Sequence, residues 1–323
     1  MFTAYHIFKN KPVRELADAE ALVAALREEV GLIWVDLEDP SEEETAILSN
    51  VFGFHDLAVE DCVTGTNQPK LDNYDGYLFL VVHGIVPGSL GNELEPREIN
   101  IFFNERYVVS VHRTHMRSIT FWRSRVDRNQ APLLSKGTDF LVHGIVDTMV
   151  DNYEPLLERL DTRMESAEEQ IVEGATGDLL IDMLQLKSDL FALTRLVTNQ
   201  RNTLVQLSEG DSPYISRSVR AYFSDVQDHL IRVRDRADSY SDFISTLQNV
   251  HVALVTSRTN DVMKTLTIIA TIMLPLTFVT GIFGMNMVLH PYLKGWPGWL
   301  GSFLLMLIIM AGMLLYFRRH KWI

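Results

Sequence analysis

The chain has 323 residues, with 42 Asp and Glu against 29 Lys and Arg and a single cysteine. A net charge of −13 excludes a general nucleic-acid binder, because phosphates need neutralising by cations. Cys62, standing alone, excludes an intrachain disulfide and any cysteine-built zinc motif.

The charge is unevenly spread. Lys264 to Ile323 contains no acid, and its only Lys and Arg are Lys264, Lys294, Arg318, Arg319 and Lys321. Removing those five from the 29 leaves 24 bases against 42 acids over residues 1–263, a charge of −18. Such a body suits cations as partners, and equally serves plain solubility. The N-terminal MFTAYHIFKNKPVREL lacks a signal peptide's charged start and apolar core, which predicts a large domain in the compartment where it is made.

Residues 1–137 read as an α/β domain. Strands are predicted at Phe2–Phe8, Leu32–Leu37, Tyr77–Val86, Ile99–Phe103 and Tyr107–His112. A helix is predicted over Asp18–Val30 with Asp18 as N-cap, and another from Ser41, where Ser41 and Glu44 form a capping box and Gly53 supplies the stop. No phosphate-cradling glycine loop, nucleophile elbow, nucleophile–base arrangement or metal-hydrolase motif is found, so no enzyme is predicted.

Residues 138–261 read as a long-helix stalk. Apolar residues recur at helical spacing from Leu179 to Val197, and breaks fall at Gly174–Gly177 and Glu209–Pro213. Two long helices are predicted, then a third that runs on into a membrane segment. Asp161–Glu173 carries five acids, read either as a solvated helix face or, if oligomerisation gathers such faces, as a cation-attracting surface.

Residues 262–323 read as two transmembrane helices, at about 262–284 and 298–317. Thr265–Leu293 and Gly295–Phe317 hold no charged residue, and a bilayer core of about 30 Å takes roughly 20 apolar helical residues. Lys264 and the basic end (Arg318, Arg319, Lys321) predict cytosolic termini, with the Gly284–Gly298 loop outside. One face of the first span reads Asn260, Met263, Thr267, Ala270, Leu274, Thr277, Gly281. Most of these are small or polar, which fits either helix packing or a pore lining. Two helices per chain cannot enclose a water-filled path, so conduction would require an oligomer.

Gly284-Met285-Asn286 follows the first span directly. Together with Asn260–Lys264, Leu266–Ile272, Leu274–Thr277, Tyr222–His229, Glu60-Asp61 and Gln68-Pro69-Lys70, it resembles the CorA family of magnesium and cobalt channels. The resemblance implies a funnel-shaped homopentamer in a bacterial-type inner or plasma membrane that takes up Mg²⁺, and also Co²⁺ and Ni²⁺. It implies an outer ring of Asn286, a pore lined by Asn260 and Thr277 and narrowed by Met263, Leu266 and Leu274, and a regulatory Mg²⁺ site at Glu60, Asp61 and Asp225. A basic ring of Arg318, Arg319 and Lys321 also fits. Two departures stand out: the loop His290–Lys294 has no carboxylate, and Asn249 stands where some relatives carry an acid. His290 keeps open a second reading, a Zn²⁺ transporter of the ZntB type, although an intact Gly-Met-Asn motif favours magnesium.

Overall fold

The computed structural model describes residues 1–9, 11–28, 30–65, 68–85, 96–128, 136–174, 179–284 and 296–322. Its elements are β1 (Phe2–Ile7), β2 (Arg14–Leu16), α1 (Ala19–Arg27), β3 (Leu32–Glu38), α2 (Glu42–Asn50), α3 (Asp56–Thr64), β4 (Lys70–Tyr74), β5 (Tyr77–Ile85), β6 (Pro96–Phe103), β7 (Tyr107–His112), α4 (Arg117–Asp127), α5 (Thr138–Asp151), α6 (Glu154–Glu173), α7 (Leu179–Glu209), α8 (Arg217–Gly284) and α9 (Trp296–Arg319). They form two compact units, Met1–Thr246 and Leu247–Ile323.

The first unit is built on a seven-stranded sheet in the order β2-β1-β3-β7-β6-β5-β4, with β3 and β7 parallel and every other pair antiparallel. Side chains alternate along a strand, so each strand feeds both faces. Val35 and Leu37 of β3 join Leu22 of α1, Leu48 of α2 and Ala58 and Cys62 of α3 in one core. All nine residues of β5 are buried, which requires cover on both faces and explains its unbroken apolar run. On the far side Gly144 of α5 sits against Trp122 of α4, so closely that a Cβ there would lie 1.8 Å from Trp122 Cζ2.

Polar groups tie the helices to the sheet. Beyond its pairing with β4, β5 presents the His83 N–H and C=O; the N–H donates to Gln200 of α7 (2.9 Å) and the C=O accepts from the Tyr153 hydroxyl (2.8 Å). Asp36 is buried, and its Oδ1 accepts from Ser110 (2.6 Å) and lies 3.2 Å from His112 Nε2. Arg123 Nη1 stands 3.7 Å from Oδ2 of the same carboxylate, and His112 Nδ1 is 2.7 Å from the Thr114 carbonyl. Burial alone would lower the His112 pKa, but the Asp36 hydrogen bond and charge outweigh it and the pKa is raised.

Local chemistry accounts for the helix ends. Asp18 caps α1 by accepting from Ala21, and Ser41 and Glu44 form the expected capping box on α2. The helix expected to reach Val30 stops at Arg27, where Arg106 captures the carbonyls of Leu26 and Glu28. The stalk region also divides earlier than expected. α5 ends at Asp151, Tyr153 turns fully inward, and Pro155 opens α6 at a position that tolerates the missing N–H. α7 and α8 then run for 31 and 68 residues.

Gly144→Ala forces a methyl into Trp122. It is expected to destabilise the protein by about 2 kcal/mol or more, and to lower the melting temperature of the detergent-solubilised chain relative to Gly312→Ala, a helical position whose Cβ meets nothing. For His112, a folded pKa above the unfolded value of 6.5 means a contribution present in full below that value and lost as pH rises through the folded one. The melting-temperature gap between wild type and His112→Gln should therefore be widest at acid pH and narrow towards alkaline pH; a constant gap would contradict this.

Candidate functional site

The second unit contains the C-terminal part of α8, together with α9. Both helices are long and apolar enough to cross a membrane, α8 through Phe283 and α9 over Gly298–Arg319. α9 lies along α8: Thr280 and Phe283 share a 360 Å³ cavity with Trp299, Ser302 and Phe303, and Lys264 Nζ lies 3.4 Å from the Lys321 carbonyl. This covers one face of α8, with Val279 8 % exposed and Ile268, Ile272, Pro275 and Leu276 half-buried.

The stripe anticipated from sequence lies on the other side. Asn260, Met263, Leu266, Thr267, Ala270, Leu274, Thr277 and Gly281 are all exposed, Leu274 to 72 %. Residues from Ala270 to Ile282 on this side line an open groove. The threonine hydroxyls donate to their own helix, Thr267 to the Met263 carbonyl (2.7 Å) and Thr277 to the Met273 carbonyl (2.8 Å). A hydroxyl that has spent its proton this way offers only lone pairs outward. Apolar Met273 and Phe278 share this groove with the stripe and are exposed, as is Ile269.

Gly284 is the last residue of α8. Met285 and Asn286 lie outside the described residues, as do His290 and Lys294. At the opposite end of the unit Arg318, Arg319 and Lys321 are exposed, and Trp322 folds back to stack on Phe317.

Glu60 and Asp61 stand on the helix α3. Burial of Ala58 and Cys62 points Glu60 outward and leaves Asp61 at the flank, where its Oδ2 is 2.5 Å from Lys70 Nζ. Asp225 is exposed on α8 and pairs with His229 one turn on, at 3.7 Å. Within one chain, then, Asp61 and Asp225 have different partners.

Sequence reading missed the company Asp225 keeps. Asp147 and Asp151 of α5 reach towards His229, with ligand atoms of the three residues all within 4.8 Å of one another. Burial raises the Asp147 pKa, and the charges of Asp151 and Asp225 add to that, offset in part by His229. One turn before Asp147, His143 is buried against Tyr222 and Phe223 and its pKa is lowered by burial. Carboxylates on this scale suit a hard divalent ion, while an imidazole widens the choice to Co²⁺, Ni²⁺ or Zn²⁺. The i, i+4 spacing of Asp147/Asp151 and of Asp225/His229 was the available signal. The acidic run on α6 is a different matter: Asp161 pairs with Arg236 at 3.1 Å, and Glu165, Glu168, Glu169 and Glu173 face outward.

A family model described as CorA-like Mg2+ transporter protein matches residues 29–319. The putative metal ion transporter YfjQ of Bacillus subtilis is 34 % identical over 99 % of this chain and 96 % of its own length. The cobalt/magnesium transport protein CorA of Thermotoga maritima is 32 % identical over 84 % of this chain and 78 % of its own. The complete structure of the CorA magnesium transporter from Methanocaldococcus jannaschii superposes with a TM-score of 0.85 at 21 % identity, covering 100 % of this chain and 99 % of that one. A more distant relative, the zinc transport protein ZntB of Yersinia enterocolitica, is 22 % identical over 90 % of this chain and 88 % of its own. The chain is a member of the CorA-like family of metal ion transporters, with two membrane-length helices at its C-terminal end.

Proposed function

We propose that the protein is a homopentameric channel for Mg²⁺, admitting Co²⁺ and Ni²⁺, with both termini in the cytosol and its opening governed by internal Mg²⁺. The observation that carries this reading is the exposed α8 face of Asn260, Thr267, Thr277 and Gly281, on the opposite side from α9. A polar face in a bilayer needs either a packing partner or water, and a ring of chains supplies both. Asn286 at the outer mouth and the acceptor-only hydroxyls inside would hold a hydrated ion through its waters. This suits Mg²⁺, which gives up water reluctantly. Exposed apolar residues on α7 (Ile181, Leu184 and Phe191, the last 71 % exposed) give further surface for association.

Regulation is assigned to Glu60, Asp61 and Asp225, now joined by Asp147 and His229. A metal that bridges these groups between subunits would favour the closed state by its differential affinity. A second reading, Zn²⁺ transport, draws support from the ZntB relative and from the imidazole at His229.

Liposome flux compared across Mg²⁺, Co²⁺, Ni²⁺ and Zn²⁺, with and without a pH gradient, separates the two readings. Mg²⁺ entry that is independent of the gradient is expected; entry of Zn²⁺ alone would favour the second. Asn286→Ala should reduce flux at least tenfold while the assembly still runs as a pentamer, whereas undiminished flux would leave the helices as a mere anchor. Asp225→Asn and Asp147→Asn should each raise, several-fold, the Mg²⁺ concentration needed to protect the chain from protease. Unchanged protection in both would remove these residues from the regulatory site.

A further inference from the structure

Lys70 opens β4, and its ammonium lies between two carboxylates, 2.5 Å from Asp61 Oδ2 and 2.7 Å from Asp72 Oδ2. Lys70 and Asp72 are two residues apart on one strand and so share a face. The pairing of Asp72 with Phe79 across β4 and β5 brings the Phe79 ring under the ammonium, with its centroid 5.1 Å away. Lys70 is about one-third exposed, so its bonds are only partly screened by water. Glu60, the neighbour of Asp61, has no ion-pair partner among the described residues. One of the two adjacent carboxylates therefore comes with its own resident cation.

We propose that Lys70 is a tethered competitor for the divalent ion at Asp61, and that Asp72 is the place to which its ammonium retreats. This rests on the reading of Asp61 as a regulatory ligand. Direct ligation would put Mg²⁺ about 2.1 Å from a carboxylate oxygen, so an ion sharing Oδ2 with the ammonium would stand within about 4.6 Å of a like charge, with repulsion that a half-buried site screens poorly. The ammonium must leave Asp61 for such an ion to settle. Because Asp72 already holds the same ammonium, it gives up one charge-assisted hydrogen bond, not two. The pair thus lowers the affinity of the site without abolishing it, and the response shifts to higher Mg²⁺ concentration. A bare carboxylate at this position would be occupied at lower concentrations.

The test is the Mg²⁺ midpoint for protease protection of the full-length protein in detergent, with MgCl₂ as the probe. Removing a competing charge-assisted bond should lower the midpoint roughly tenfold in Lys70→Met and in the polar isostere Lys70→Gln. Asp72→Asn, which leaves the ammonium wholly to Asp61, should raise it. Lys70→Arg keeps the charge and should stay near wild type, as should Lys9→Met, which removes a cation elsewhere on the unit. The proposal is overturned if Lys70→Met and Lys70→Gln leave the midpoint unchanged or raise it, the latter meaning that Lys70 positions Asp61 for the ion. It is equally overturned if Lys9→Met lowers the midpoint as much. Asp61→Asn tests the underlying reading separately: a wild-type midpoint there removes Asp61 from the site whatever Lys70 does.

Discussion

Hydrocarbon offers no partner to a polar group, and this one fact organises the C-terminal unit. Its helices satisfy their backbones internally except where Pro275 interrupts the ladder of α8, and the threonine hydroxyls of α8 turn their protons back onto that backbone. α9 spares only one side of α8 from the bilayer. The side carrying Thr277 and Gly281 has no cover from the described residues of its own chain. Small residues allow close approach of another helix, and hydroxyl oxygens favour water; neither need is met by lipid. Assembly is the response open to such a surface.

The sheet domain poses the opposite problem, charge inside a dry interior. Asp36, Ser110, His112 and Arg123 meet it with two hydrogen-bonding groups on one carboxylate oxygen and a guanidinium 3.7 Å from the other. The Asp147–Asp151–His229 group meets it less completely, because Asp147 is half-buried among like charges. A carboxylate kept in such surroundings gains from any cation that arrives, be it a proton or a metal. That asymmetry separates a structural charge cluster from a responsive one.

Elements with strong apolar period were legible in the sequence: β1, β3, β5, β6 and β7, the capped starts of α1 and α2, and both membrane spans. The strands β2 and β4 were not, because Arg14-Glu15-Leu16 and Lys70–Tyr74 lie at sheet edges, where charge is tolerated and no alternating pattern is enforced. α3 and α4 are short and lie against the sheet through a few residues each, so their periodicity is faint. The stripe on α8 was legible because it repeats over many turns. The acidic group was only half legible: Asp225 came through resemblance, whereas its juxtaposition with Asp147 depends on how α5 meets α8. Residues 78 positions apart or more carry no local signal of that kind. The partnership of Asp61 with Lys70 was likewise invisible, although the two lie only nine residues apart.

The treatment of His83 bears on how copies of this chain can meet. Gln200 and Tyr153 occupy the stretch of β5 that β4 leaves unpaired, and the far border of the sheet is β2, three residues long and bearing Arg14 and Glu15. The other border is β4, five residues long and bearing Lys70 and Asp72, so both border strands are short and charged, features that discourage a second sheet from zipping on. Edge-to-edge aggregation, the common hazard of a mixed sheet at high local concentration, is thereby discouraged at both borders. Chains crowded together in a membrane patch are left to recognise one another through helical surfaces, where geometry is more selective than backbone hydrogen bonding.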